Sequence, residues 1–173
     1  NTLYNCAQET LVDGMARERQ QYSGDGSHQL HAVIQTLGDI TLPYRFVNTF
    51  SQGLSIDGYF MDSWPAWDRL ARTVERQMHL TGWGPILDHS IGFCFDAFHY
   101  YMYTGDLQGL KEVYPRLLSF FSYLYKLTDK SEHLVPVENL GMCSVYIDHE
   151  AYKQTKHKQL ALNLYIVAMC QNA

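Results

Sequence analysis

Apolar positions recur at three- and four-residue steps along most of this chain, and that spacing predicts helices. Over residues 2–12, Leu3, Cys6, Ala7, Leu11 and Val12 fall at roughly helical intervals. Over 27–37, Leu30, Val33, Ile34 and Leu37 share one face, and Ser27 or Asp25 is placed to cap it. Pro43 suits a helix start, and 44–52 continues that helix. Pro65 opens a segment over 66–79 whose apolar stripe is Trp67, Leu70, Val74 and Met78. Residues 90–103 are apolar and aromatic nearly all round, which predicts a buried helix with Gly105 as its C′ residue. Asp106 begins the next helix, which runs to about Leu127; Pro115 inside it predicts a kink or two short helices. A last long helix covers 150–171, polar in its first half and apolar in its second.

Between these segments lie loops over 13–26, 53–63, 81–89 and 128–148. The second holds the turn signal Asp57-Gly58, and the last is long enough to suggest a function of its own. No strand alternation persists for six residues, although 135–137 and 143–147 suit short extended pieces. Six or seven paired helices with long loops on one side point to an all-α, α/α architecture in one segment spanning 1–173. The chain opens at Asn1 without a charged-then-apolar leader and closes on the apolar run 162–170. The expectation is a piece of a longer chain, with nothing in it that assigns a compartment.

Composition narrows the partners. With 173 residues and 46% hydrophobic content, the chain has ample material for a core, which excludes disorder. The formal net charge of −5 leaves no basic surplus to displace counterions, which argues against nucleic acid. The apolar run at 160–170 is shorter than the roughly 20 residues a bilayer needs. Thirteen Tyr, 8 Phe and 3 Trp with few charges suit a polar, uncharged ligand such as a sugar, or equally a Tyr-rich helical core. Cys6, Cys94, Cys143 and Cys170 contain no C-x-x-C, so four buried free thiols are expected rather than a metal centre. His28 and His31 share a helix face without an acidic partner one turn away, which reads as a structural pair. His149, Lys153, Lys156, His157 and Lys158 read as a solvated basic face. No phosphate loop or serine-nucleophile motif stands out, and no cofactor is expected.

The densest chemistry lies in the loop Asp13-Gly-Met-Ala-Arg17-Glu18-Arg19-Gln-Gln-Tyr22-Ser-Gly24-Asp25. Glycosidic cleavage needs a carboxylic acid to protonate the leaving oxygen and a second carboxylate to activate water or attack. The acid needs a raised pKa, which partial burial and neighbouring carboxylates supply. Asp13 and Asp25 are spaced to do this for Glu18, whereas Arg17 and Arg19 oppose it if they face Glu18. The plain alternative is a solvated turn with surface ion pairs. Trp64 and Trp83 lie in loops as sugar platforms or as packing. Asp88 is an N-cap or a site residue, and Asp148-His149 close the longest loop.

The spacing Asp13-x-x-x-Arg17-Glu18-x-x-x-Tyr22-x-Gly24-Asp25 resembles the acidic motif of the bacterial α-L-rhamnosidases of glycoside hydrolase family 78. Further segments are similar in order: Gly58-Tyr59-Phe60, Trp64-Pro65-Ala66, Trp83-Gly84-Pro85, Tyr100–Asp106, Val113-Tyr114-Pro115, Tyr146-Ile147-Asp148-His149, His157-Lys158-Gln159 and Asn163-Leu164-Tyr165. The resemblance implies part of an (α/α)6 barrel and an inverting, exo-acting glycosidase that removes terminal α-L-rhamnose. It implies Glu18 as general acid, Asp13 as a carboxylate that binds sugar hydroxyls, and Asp25 as a carboxylate that faces the sugar and is also considered for the acid role. Tyr22 stands where the family often has Trp. Asp148 is implied as a sugar-binding aspartate. A full barrel of twelve helices needs roughly 350 residues, about twice this chain. These 173 residues are then the amino-terminal half. The rest of the same domain is the expected partner and source of the general base. A sugar-binding helical domain without turnover, or an α/α-barrel glycosidase for another sugar, is the alternative.

Overall fold

The computed structural model describes residues 2–14, 19–65, 85–138, 140, 145–147 and 156–173. The described residues form six helices: α1 (Thr2–Cys6), α2 (Ser23–Leu37), α3 (Thr41–Ser51), α4 (Leu87–Thr104), α5 (Leu107–Leu127) and α6 (His157–Asn172). Among these residues extended pairing is limited to the isolated bridges Ala7–Leu11, Tyr22–Ser63 and Leu54–Phe60. The chain is all-α. The segment expected to be helical over 66–79 lies outside the described residues.

Two tight connections make helical hairpins. Gly38 (φ 64°) ends α2 in the left-handed conformation that glycine tolerates, and the chain re-enters α3 within three residues. Gly105 (φ 67°) does the same after α4. Asp106 then caps α5, with its Oδ1 accepting from Gly109 N–H at 2.9 Å and its Oδ2 from the Tyr100 hydroxyl at 2.6 Å.

The hairpins stack with matched directions. Gly24 lies against His89, and seven residues on His31 packs edge-on to His99 at 4.8 Å, so α2 and α4 run parallel. Tyr165 stacks on Phe95 at 5.1 Å, and Met169 and Asn172 line a cavity with Phe98, so α6 runs parallel to α4. On the other layer, Tyr44 O–H donates to Glu112 and Arg116 donates to Ser51, so α3 and α5 are also parallel. The result is one layer of α2, α4 and α6 backed by a layer of α3 and α5. Phe93 of α4 joins the layers, with ring centroids 4.7 Å from Phe50, 4.8 Å from Phe60 and 6.2 Å from Phe46.

Several expected boundaries move, each for a physical reason. The first helix stops at Cys6 rather than Val12, because the chain reverses through the Ala7–Leu11 bridge and buries the adjacent Leu11 and Val12 together. The 13–26 loop is helical from Ser23, so neither Ser27 nor Asp25 is a cap; Tyr22 precedes the helix instead. Glycines at 24 and 26 disfavour a helix intrinsically, but a Cβ at Gly26 would run into the Phe46 ring. Close packing of α2 on α3 outweighs the propensity. Gly26→Ala is therefore expected to destabilise the fold by about 1–3 kcal/mol, measured by chemical denaturation. The third helix starts at Thr41, because Asp39 accepts from the N–H groups of Thr41 and Leu42. The fourth starts at Leu87 rather than 90.

Pro115 does not split α5, a single helix of 21 residues. Its missing N–H leaves the Lys111 carbonyl without a donor, but both residues are exposed and water reaches that side. The last helix begins at His157; residues 150–155 lie outside the described set. Its Lys158, expected in solvent, is buried, because it shares the face of Leu162 and Met169. Cys170, expected to be buried, is exposed on the last turn, while Cys6 and Cys94 are buried; Cys143 lies outside the described residues. The described part of 128–148 is irregular but folded onto the core. Asn163 grips it at Val135, accepting the N–H and donating to the C=O, both at 2.9 Å.

Asp96 on α4 is fully buried, and neither carboxyl oxygen meets a donor in hydrogen-bonding geometry. Burial pushes its pKa up to about 7, with the nearby Ser27 hydroxyl offsetting part of the rise. The folded state thus holds a proton that the unfolded chain releases near pH 4. Stability is expected to fall as pH rises from about 4 to about 7, by a few kcal/mol at about 1.4 kcal/mol per pKa unit. Asp96→Asn should flatten that slope, raising Tm at pH 8 and leaving it nearly unchanged at pH 4.

Candidate active site

Because α2, α4 and α6 are parallel, their amino ends lie on one side of the fold. The acidic loop, the 60–65 loop and residues 145–147 meet the amino ends of α2 and α4. The segment 13–20 is pinned at both ends: Asp13 N–H donates to the Gln20 carbonyl at 2.9 Å, and Gln20 N–H donates to Asp13 Oδ1 at 2.8 Å. Arg17 and Glu18 lie between these anchors, outside the described residues. Arg19 follows at φ 54°, in the left-handed region. One oxygen of Asp13, expected to face a sugar, is thus committed to closing the loop.

The strand-like piece 20–22 then runs beside 62–64. Tyr22 bridges Ser63, Trp64 N–H donates to the Gln21 carbonyl at 3.1 Å, and the Gln21 amide donates to the Trp64 carbonyl at 2.6 Å. This pairing carries Asp62 and Trp64 to the acidic motif. Trp64 is half-buried, its Cβ and ring base against Gly53, so packing holds it while part of the ring stays accessible. Tyr22 is also half-buried.

Asp25 sits in the first turn of α2 and is open to solvent on one side. Its carboxyl pKa is raised, first by partial loss of hydration and then by the charges of Asp13 and Asp62, against opposition from His89 and His28. The structure therefore brings Asp13, Asp25 and Asp62 into one electrostatic neighbourhood. His89 supplies the counter-charge: its Nδ1 lies 2.9 Å from Asp62 Oδ1. Burial alone would lower the His89 pKa, but the Asp62 hydrogen bond and the charges of Asp62, Asp88 and Asp25 raise it overall. Asp88 is not an N-cap. Its Oδ1 accepts from Tyr146 N–H at 2.8 Å, tying the long loop to α4, and burial raises its pKa.

Asp13, Tyr22, Asp25, Trp64 and Asp88 lie on the side of the fold that carries the amino ends of α2 and α4. Arg17, Glu18, Trp83, Asp148 and His149 lie outside the described residues. Asp62 and His89 are added by the structure. No sequence motif marks Asp62 or His89. No group of three or more potential metal ligands occurs among the described residues. His31 Nδ1 lies 3.1 Å from the Tyr103 hydroxyl, and its ring packs edge-on to His99. A separate apolar cavity of about 70 Å³ between α4, α5 and α6 is lined by Phe95, Phe98, Leu110, Tyr114 and Met169 among others, and holds no charged side chain.

Comparison with protein-family models, with curated proteins and with solved structures gives no match to this chain. No helix of the described residues is long and apolar enough to cross a membrane.

Proposed function

We propose that this chain is the amino-terminal half of an (α/α)6-barrel catalytic domain and acts as an inverting exo-glycosidase on terminal α-L-rhamnose. The observation that carries the reading is the meeting of Asp13, Asp25 and Asp62 at the amino ends of parallel helices, beside half-buried Tyr22 and Trp64. Carboxylates that bind hydroxyls, next to rings that cover apolar sugar faces, suit a neutral carbohydrate. The two-layer helix order supports the barrel. So does the apolar stripe Leu160, Leu164 and Val167, exposed at 70%, 60% and 55% on α6, where further helices would pack.

In this reading Glu18 gives its proton to the glycosidic oxygen as the bond to the anomeric carbon breaks. Water attacks the opposite face and loses its proton to a carboxylate supplied by the rest of the domain. Asp13 and Asp25 hold ring hydroxyls, Arg17 and Asp88 order the loop and its neighbours, and Trp83, Asp148 and His149 complete the sugar contacts. The reading is tested with the full-length protein and a panel of p-nitrophenyl glycosides. The α-L-rhamnoside is expected to be cleaved fastest. Faster cleavage of another glycoside would reassign the sugar, and none at all, with rhamnose still bound, would leave a sugar-binding domain.

A further inference from the structure

His89 is the point where four parts of the fold touch. Asp62 from the 60–65 loop bonds its Nδ1 at 2.9 Å. The amino end of α2 lies against its other edge: a Cβ at Gly24 would sit 3.0 Å from Cε1 and Nε2. On the backbone side, the Ser23 hydroxyl donates to the His89 carbonyl at 3.2 Å. The Tyr146 ring packs at 5.4 Å, and its N–H is held by the neighbouring Asp88. The ring is only 22% exposed, and Asp62 only 21%. This half-buried ion pair joins the 60–65 loop to α4, and the same His89 ring lies against the α2 amino end that carries Asp25.

We propose that His89 is a positioning residue of the site: locked by Asp62 and seated against the bare Cα of Gly24, it sets where the α2 amino end and the 60–65 loop present their carboxylates to a ligand. The proposal rests on reading Asp25 and Asp62 as ligand-facing groups. Asp62 fixes the ring so that Nδ1 carries the proton it donates, which directs Nε2 towards α2. Glycine at 24 then has a reason beyond backbone freedom, since any side chain there displaces the imidazole. The groups facing His89 are Asp62 from the loop, Asp25 from the acidic motif, Asp88 on its own helix and Tyr146. With its charge present, His89 lowers the proton affinity of Asp25, which burial, Asp13 and Asp62 raise.

The test compares the full-length protein with His89→Gln, Asp62→Asn and Gly24→Ala. Carboxyl carbon NMR follows the Asp25 titration, and ring nitrogen NMR follows the His89 tautomer and titration. His89→Gln is expected to shift the Asp25 titration to higher pH. Asp62→Asn should abolish the Nδ1–H signature and lower the His89 titration. Gly24→Ala, which keeps every charge, should disturb the same signals and weaken α-L-rhamnose binding roughly tenfold, the loss of about one charge-assisted hydrogen bond. An Asp25 titration and rhamnose affinity unchanged in all three variants would overturn the proposal. Both NMR readouts are independent of turnover. Coupling observed in a protein that cleaves no glycoside therefore keeps the proposal and removes the glycosidase reading.

Discussion

Glu18→Gln is expected to cut hydrolysis of methyl α-L-rhamnoside by about 100- to 10,000-fold, the usual contribution of a general acid. The same variant should lose far less on the p-nitrophenyl glycoside, because p-nitrophenolate leaves without first being protonated. Rhamnose affinity should change little, since the lost proton acts in the transition state rather than in the ground state. Asp25→Asn makes the counterpart. Its carboxyl is already pushed up by burial and by Asp13, which makes it the rival proton donor. If Asp25 instead holds a hydroxyl, Asp25→Asn raises KM and acts alike on both substrates. A large leaving-group dependence in Asp25→Asn and none in Glu18→Gln would exchange the two roles.

Phe93→Ala is expected to destabilise the fold by about 3–5 kcal/mol, lowering Tm by roughly 10 °C. Phe93 is fully buried and touches Phe46 and Phe50 of α3 and Phe60 of the 53–63 loop. Its loss removes aromatic contacts on three sides and leaves a cavity between the layers that rigid helices cannot close. A total stability of about 5–15 kcal/mol makes that a large fraction. Phe60 stands two residues before Asp62, so the same change should loosen the 60–65 loop. Sugar binding should weaken in Phe93→Ala even at temperatures where the protein remains folded. A loss below about 1 kcal/mol by urea denaturation would mean that Phe93 is not the joint between the layers.

Much of the helical frame was legible in the sequence because local signals and tertiary packing agree. Thr104-Gly105-Asp106 ends one helix and caps the next as their side chains predict, and the 27–37 stripe lies inside α2. At the start of α2, distant rings override a local rule. Gly24 and Gly26 look like loop residues until His89 and Phe46 are seen against them. Pro115 looks like a break until its exposed side is seen. Lys158 looks like a solvent residue until the face it shares with Leu162 is known.

The site was legible where chemistry clusters along the chain, at Asp13, Tyr22 and Asp25. It was not legible where partners come from far apart in sequence. Asp62 and His89 are 27 residues apart, and no local pattern marks either one. Asp88 suits an N-cap by its place before an apolar helix, and its bond to Tyr146, 58 residues on, is not visible in the sequence. Pairings of that kind depend on the parallel stacking of α2 and α4, which helix periodicity alone does not specify.

Proton NMR of the first sugar released reads the proposed inversion of an α-L-rhamnosidic bond directly. Full-length protein is mixed with p-nitrophenyl α-L-rhamnoside, and the anomeric signals are recorded before mutarotation equilibrates them. Inversion is expected to release β-L-rhamnose first. First release of the α anomer, or no release of rhamnose, would contradict it.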